Sequence, residues 1–543
     1  MINGDATFVA PATPYGHSGL AVVRINGPKS LETLSKLAPN AKLKDRSAVL
    51  SKIRTSSGEL IDECVVTFFK SPKSYTGDDL IEISCHGSPS VVDRLIDEII
   101  KHDVRPAEPG EFTKRAFLNG KIDLIQSEAI ASLIESKTTK SAQIHSNTLD
   151  GVLSKIRTSS GELIDECVVT FFKSPRSYTG DDLIEISCHG SPSVVDRLID
   201  EIIKHDVRPA EPGEFTKRAF LNGKIDLIQS EAIASLIESK TTKSAQIHSN
   251  TLDGVLSKTL INTLNKLISI LADIEHAIDI SEDEITDRFY RNCKDKIGEV
   301  HQDFKDILST YNIGKLLNDG IRVVITGKPN VGKSTLLNQL SGLEKALVSD
   351  QPGTTRDLVE VVLDIDGIPV RFIDTAGIHI TDDKVENLGI KKAVDTISRS
   401  DLILHVTDDL EYDYFTDYDV PCINILNKID LHKKTLDNNS IIHISAKNGE
   451  NVDILLKKIK ETLLINSVST NTPHLTTARQ KEALNKCLES LSLSLKCFDN
   501  TYPDLEIVSL ELRASLYSLE TLLGKTSADD ILNNVFGKMC VGK

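Results

Sequence analysis

The stretch "GKPNVGKS" sets Gly327, Gly332, Lys333 and Ser334 at the spacing G-x-x-x-x-G-K-[ST]. These residue types suit one chemistry. A Gly-containing loop that runs into a helix aims backbone N–H groups at phosphate oxygens. Lys333 reaches the outer phosphates and Ser334 offers a hydroxyl to Mg²⁺. Asn330, Val331 and Thr335 belong to the same loop and helix start. Downstream, "RFIDTAG" ends an apolar run with Asp374, Thr375, Ala376 and Gly377. Asp374 can orient a magnesium shell, and the Gly377 N–H can sense a terminal phosphate. "CINILNKID" ends another run with Asn427, Lys428 and Asp430. A carboxylate there accepts from the N1 and N2 hydrogens of guanine, a pattern adenine does not supply. "IIHISAK" adds Ser445, Ala446 and Lys447 to the base pocket. Four motifs in this order, each at the carboxyl end of an apolar strand, put a ligand where parallel sheets bind ligands. They imply a GTPase.

Between the first two motifs lies "VSDQPGTTRD", with Ser349, Asp350, Gln351, Pro352, Gly353, Thr354 and Thr355 where a mobile switch loop belongs. Thr354 and Thr355 are candidates for metal or phosphate contact; an ordinary hydroxyl-bearing turn is the alternative. Ile378 follows "DTAG", where many small GTPases carry a water-positioning glutamine. Another group must orient the nucleophile. Glu386 is the candidate, with a solvated helix glutamate as the bland reading.

The elements that must hold these residues are legible as patterns. Residues 321–465 alternate apolar strands with helices, which predicts a mostly parallel sheet. At the N-terminus, "GLAVVRI", "CVVTFF" and "DLIEISCHG" read as strands and "SVVDRLIDEIIK" as an amphipathic helix. They make a small mixed α/β unit ending near Gly120. Leu256, Leu260, Leu264, Leu267, Leu271 and Ile274 recur at helical spacing, as do Leu484, Leu488, Leu491 and Leu495, and then Leu512, Leu516, Leu519 and Leu523. These stripes read as bundle core, in two helical blocks that pack together around an inserted βα unit. The expected fold class is therefore multidomain α/β plus all-α.

One feature is unusual. "SKIRTSSGELIDECVVTFFK" begins at Ser51 and again at Ser154, and the copies stay in step until Ile156 faces Thr259, with Lys73 against Arg176 as the one difference. The word "VLSK" stands at Val49, Val152 and Val255. A tandem duplication joined at that word would produce this chain. Residues 1–50 run directly into the first copy, so the shorter loops favour that copy for the N-terminal domain. The second copy runs directly into the helical stripe. The expected division is 1–120 as N-terminal domain, 121–223 as surplus segment, 224–320 and 466–543 as the helical domain, and 321–465 as the GTPase domain. The surplus unit lacks the 1–50 strands, so an exposed edge and an exposed apolar face are expected of it.

Composition narrows the setting. The 543 residues carry a formal net charge of −16, which speaks against broad, non-specific nucleic-acid coating and leaves room for a local basic patch. Nine cysteines without a Cys-x-x-Cys pair suggest neither a zinc site nor a disulfide framework, and the cytoplasm is the expected compartment. No apolar run approaches a membrane span and no N-terminal stretch resembles a signal peptide.

Taken with "GKPNVGKST", "DQPGTTRD", "DTAG" and "NKID", the C-terminal "CVGK" and the N-terminal "GLAVVRING", "SYTGDDLIEISCHG" and "PGEFTKRAFLNGKIDLIQSEA" resemble the MnmE (TrmE) family of bacterial tRNA uridine-modification GTPases. The resemblance covers the chain apart from the extra copy. It implies a folate-binding N-terminal domain, homodimerisation and a K⁺-dependent GTPase. It also implies a flavin- and NADH-dependent partner of the MnmG type, and modification of carbon 5 of the wobble uridine (position 34) of tRNA with a one-carbon unit from a tetrahydrofolate derivative. By motif position it assigns Mg²⁺ to Ser334 and Thr355, and K⁺ to Asn330, Ser349, Gln351 and Thr354. It assigns water orientation to Glu386. Folate would fall to Arg24, Glu82, Lys121 and Lys543, with Glu185 and Lys224 as second copies of Glu82 and Lys121. Cys540 matches a cysteine of the family's C-terminal motif; a small buried cysteine is the equal alternative. His379 departs from the basic residue many relatives carry there. Two other readings stay open: a duplication-damaged product that keeps nucleotide binding, and a ribosome-assembly GTPase, which would leave "CVGK" unexplained.

Overall fold

The computed structural model describes residues 6–134, 154–279, 285–342, 346–347, 360–374, 397, 400–409, 420–431, 441–463, 472–500, 503–526 and scattered positions of 532–542. The chain forms two compact units. The first comprises Met1–Ser239, His248–His276 and Ser509–Lys543, and the second Lys240–Ile247 and Ala277–Val508.

The first unit is built on a six-stranded sheet of β1 (Phe8–Pro11), β2 (Ser18–Asn26), β3 (Ala48–Arg54), β4 (Leu60–Phe69), β5 (Leu80–Gly87) and β6 (Arg105–Pro106), in the order β3-β4-β5-β2-β1-β6. All neighbours are antiparallel except β1 and β6. Alternation sets the two faces. Cys64, Val66 and Phe68 of β4 and Ile81, Ile83 and Cys85 of β5 are buried on one face, against the helices Ser30–Leu37 and Pro89–Ile100. Those helices bury Leu34 and Leu37, and Val91, Leu95 and Ile99.

A second sheet in this unit has three strands, β7 (Ser154–Arg157), β8 (Leu163–Phe172) and β9 (Leu183–Ser187), all antiparallel. These are the twins of β3, β4 and β5. The helix Leu227–Glu238, which the second copy supplies, packs against β5 of the first. Ser88 and Ser90 donate to the Ser239 carbonyl at 3.1 and 3.0 Å, and Ser249 Oγ donates to the Ile61 carbonyl at 2.8 Å. The corresponding helix of the first copy, Leu124–Ile134, places Ile130 in a small apolar cluster with Ile164, Val194 and Leu198 of the second copy. Each copy's α/β strands therefore meet the helix that the other copy supplies.

The long helix expected from the leucine stripe spans Val255–Ile278. Its buried line runs Leu256, Leu260, Leu264, Leu267, Ile270 and Ile274, so Ile270 takes the place expected for Leu271. Glu275 accepts from Ser509 and from Arg513 of the helix Leu505–Leu523, which ties this helix to the C-terminal block.

The second unit carries a seven-stranded sheet of β10 (Ile321–Thr326), β11 (Ala346–Leu347), β12 (Glu360–Ile365), β13 (Ile368–Asp374), β14 (Leu402–Thr407), β15 (Cys422–Leu426) and β16 (Ile441–His443). Its order is β11-β12-β13-β10-β14-β15-β16. Strands β13, β10, β14, β15 and β16 are parallel, and β11–β12–β13 is antiparallel. The β12–β13 hairpin turns at Asp366-Gly367, both at positive φ, which lets two strands pair without a crossover helix. The central strands are near-continuous apolar runs, as parallel strands covered on both faces must be. In the same unit the helix Asp287–Ser309 packs along Ala478–Cys497, with Cys293, Ile297, Val300 and Phe304 buried from one and Leu484, Cys487 and Leu491 from the other.

Candidate nucleotide site

Strand order reverses at β10, which lies between β13 and β14, so the crevice at its carboxyl end is the switch point of the sheet. The loop from Gly327 to Gly332 leaves that end and enters the helix Lys333–Ser341. Two of its positions demand glycine. Gly327 has φ +140, and a Cβ there would lie 2.1 Å from the Val406 carbonyl oxygen. Gly332 has φ +100, and a Cβ would lie 2.2 Å from Asn427 Nδ2. Such close approach packs the loop tightly against β14 and Asn427 at the helix N-terminus, the place where backbone N–H groups meet an anion in such loops.

Lys333 is buried at the first turn of the helix. Its ammonium donates to the carbonyls of Gly327 and Lys328 at 2.9 and 2.8 Å. Burial pulls its pKa below the ordinary value and Asp374 opposes that pull. Ser334 Oγ donates to Asp374 Oδ2 at 2.7 Å, and Asp374 is buried at the end of β13. A hydroxyl and a carboxylate so close form a hard-oxygen pair that fits Mg²⁺.

The base side is tied to the phosphate side by Asn427. Its Nδ2 donates to the Val331 carbonyl at 2.8 Å, and its Oδ1 accepts from the Ala446 N–H at 2.9 Å. Lys428, at positive φ, donates to the Asn330 carbonyl at 2.8 Å and to Asp408 Oδ2 at 2.6 Å. Ser445 Oγ donates to Asp430 Oδ1 at 2.7 Å, which holds one carboxylate oxygen in place beside the loop that carries Ala446 and Lys447. The structure thus brings Asn330 to Thr335, Asp374, Asn427, Lys428, Asp430, Ser445 and Ala446 to one end of one sheet. Asp408, which pins Lys428, was not singled out from the sequence; its signal was the acidic pair that closes "HVTDD" after β14.

Ser349, Asp350, Gln351, Pro352, Gly353, Thr354, Thr355, Thr375, Ala376, Gly377, His379, Glu386, Cys540 and Lys543 lie outside the described residues. Of the residues expected to hold folate, Arg24 and Glu82 face each other across β2 and β5 and pair at 2.8 Å. Lys121 donates elsewhere, to the Pro72 carbonyl at 3.1 Å, and Lys224 repeats this on Pro175 at 3.1 Å. Among the described residues, no twin of Arg24 stands opposite Glu185. Burial raises its carboxyl above the ordinary range, and nearby Glu82 adds to the rise.

Comparison with known proteins gives matches along most of the chain. A family model described as the MnmE helical domain matches residues 227–540. One described as the GTP-binding protein TrmE N-terminus matches twice, at 7–121 and 126–224. The "tRNA modification GTPase MnmE" of Clostridioides difficile is 40% identical over 397 residues, covering 70% of this chain and 86% of that protein. The protein of the same description from Koribacter versatilis is 38% identical over 395 residues, covering 71% and 87%. Among solved structures, the G domain of the T. maritima FeoB iron transporter is 26% identical with a TM-score of 0.20, covering 26% of this chain and 98% of that one.

Proposed function

The chain belongs to the MnmE family of tRNA modification GTPases and is a GTP hydrolase of tRNA modification; from that premise, we propose that it turns over GTP at the β10 switch point with the residues assembled there. The supporting observation is the Ser334–Asp374 contact beside buried Lys333, with Asn427 locking the phosphate loop to the base loop. Lys333 would exchange its two loop carbonyls for phosphate oxygens. Ser334 and Thr355 would hold Mg²⁺, with Asp374 orienting its shell. Bound Mg²⁺ would neutralise charge developing on the phosphates. Asp430 would accept from N1–H and N2–H of guanine. Water would attack the γ-phosphorus in line, breaking its bond to the β–γ bridging oxygen and releasing GDP and phosphate, with Glu386 orienting the water. Family resemblance supports K⁺ on Asn330, Ser349, Gln351 and Thr354.

We further propose that the reaction on tRNA is modification of carbon 5 of the wobble uridine, carried out in the cytoplasm by a homodimer with an MnmG-type flavin- and NADH-dependent partner. A tetrahydrofolate derivative would supply the carbon. The half-buried Arg24–Glu82 pair offers both a donor and an acceptor at one place, which suits a pterin edge. Lys121 and Lys543 would complete that site. Among the described residues, no helix is long and apolar enough to cross a membrane.

GTP turnover in K⁺ and in Na⁺ tests the proposal, measured alongside Lys333→Ala and Asp430→Asn. Turnover in K⁺ that Lys333→Ala abolishes, and that Asp430→Asn moves from GTP to XTP, is the expected result. Xanthine presents a carbonyl at position 2, to which an amide donates. Cation-indifferent residual hydrolysis would instead support the damaged-product reading, and an Asp430→Asn variant that keeps its preference for GTP would remove Asp430 from the base pocket.

A further inference from the structure

The second copy repeats the pairing of the first residue for residue. Val168↔Ser187, Val169↔Ile186 and Phe171↔Ile184 match Val65↔Ser84, Val66↔Ile83 and Phe68↔Ile81. What differs is what lies beyond. In the first copy β5 has β4 on one side and β2 on the other, and the helix Ser30–Leu37 covers its apolar face. In the second copy, among the described residues, β9 pairs with β8 alone.

The exposure follows the missing cover. Val66, Phe68, Ile81 and Val104 are 0%, 6%, 0% and 2% exposed, and their twins Val169, Phe171, Ile184 and Val207 are 41%, 57%, 61% and 49% exposed. Val169, Phe171 and Ile184 are cross-strand neighbours on β8 and β9, beside an edge that is open among the described residues, an arrangement that invites strand addition. Ile186 and Cys188 already pack with Ile164, Val194 and Leu198 against Ile130, Ile122 and Tyr75, so Val169, Phe171 and Ile184 are what is left uncovered.

We propose that the open β9 edge and its apolar face form a docking site for residues 7–47 of a second copy of this chain. The fit is specified by identity of sequence. The groups that bind β1, β2 and the helix Ser30–Leu37 in the first copy are present again, in the same register, in the second. Strand β2 would set Ala21 opposite Cys188, Val23 opposite Ile186, Arg24 opposite Glu185 and Asn26 opposite Leu183, as it now sets them opposite Cys85, Ile83, Glu82 and Leu80. Charge agrees, since Glu185 is a half-buried carboxylate that would gain the arginine its twin already holds. Each chain carries one such donor segment and two acceptors. Between whole chains the donor must first leave its own β5, so exchange is slow and rises with concentration, as in domain swapping. A free donor segment meets no such cost. The proposal is independent of the reading of the nucleotide site.

The test uses the full chain and a synthetic peptide of residues 1–47 carrying Ala21→Cys. Mixed under oxidising conditions, the peptide is expected to bind with one-to-one stoichiometry and to form its disulfide with native Cys188, identified by mass spectrometry of the linked fragment. Ile184→Lys, on a side chain already exposed, should weaken binding about tenfold or more while leaving the fold intact. No binding, a disulfide formed with Cys85 instead, or binding indifferent to Ile184→Lys would each overturn the proposal.

Discussion

Ile81 in β5 is sealed inside the first unit, and Ile184, its twin in β9, faces solvent, although more than thirty residues on either side of each are the same apart from Lys73 and Arg176. Local structure survives this difference and burial does not. Both copies form the same hairpins, the same helices (Pro89–Ile100 and Pro192–Ile203), and the same left-handed glycine before the next helix, Gly110 and Gly213. The buried Asp62–His86 contact at 2.8 Å recurs as Asp165–His189 at 2.9 Å. Hydrogen bonds within a few strands are written into the segment. The apolar core is written jointly with residues 7–47, which exist once. The comparison teaches that secondary structure here is a property of the copy, and burial a property of its partners.

That contrast can be broken most forcefully by charge. Ile81→Lys would bury an unpaired ammonium under the helix Ser30–Leu37 and should cost several kcal/mol, enough to leave little folded first unit. Ile184→Lys should stay within about 0.5 kcal/mol of the parent. Paired chemical-denaturation curves make the check. A gentler version trims methyls: Val104→Ala should cost roughly 1–2 kcal/mol and Val207→Ala markedly less, since only the first leaves a void. Equal midpoint shifts for that pair would show that solvent exposure does not separate the copies.

The sharpest sign that local bonding is shared lies in acid. Burial works to raise the Glu98 carboxyl, but hydrogen bonds from Lys101 and Ser56 outweigh it and hold the group at about 2. In the second copy, Lys204 and Ser159 hold Glu201 at about 2 as well. A carboxyl held below its ordinary 4.5 contributes stability that is fully present above that value and is lost as pH falls from about 4.5 toward about 2. Glu98→Gln and Glu201→Gln should each flatten the loss of their own copy's structure across that window. A flattened profile from one substitution only would mean that the copies differ even in their local bonds. The smallest expected effect is Arg24→Ala. It removes a partly exposed pair worth about 1 kcal/mol or less to the first copy and leaves the second unchanged.

The sequence made much of the nucleotide site legible, because phosphate chemistry fixes residue types at short spacing. Gly327, Gly332, Lys333 and Ser334 could be placed at a strand end without any tertiary knowledge, and so could Asp374, Asn427 and Asp430. The bridging role of Asn427 was not legible, since it joins loops nearly a hundred residues from one another in the chain (Val331 and Asn427) and depends on the strand order. The antiparallel β11–β12–β13 arm was hidden for a similar reason: alternating strand and helix patterns carry no sign of direction. Helical stripes located the long helices well and their buried lines less well, as the shift from Leu271 to Ile270 shows. A 3.6-residue period drifts around a long helix, and neighbours choose among adjacent apolar positions. For the repeated segment, identical text could only be divided by asking which copy lies beside residues 1–50.

The most direct test compares Phe68→Ala with Phe171→Ala in thermal or denaturant unfolding of the full chain. Phe68 is buried between β5 and the covering helices, so its loss should cost about 3–5 kcal/mol. Phe171 is exposed, so its loss should cost well under 1 kcal/mol. That asymmetry is the predicted result. Equal costs, or a larger cost at Phe171, would contradict the account, because residues 7–47 would then be completing the second copy in place of the first.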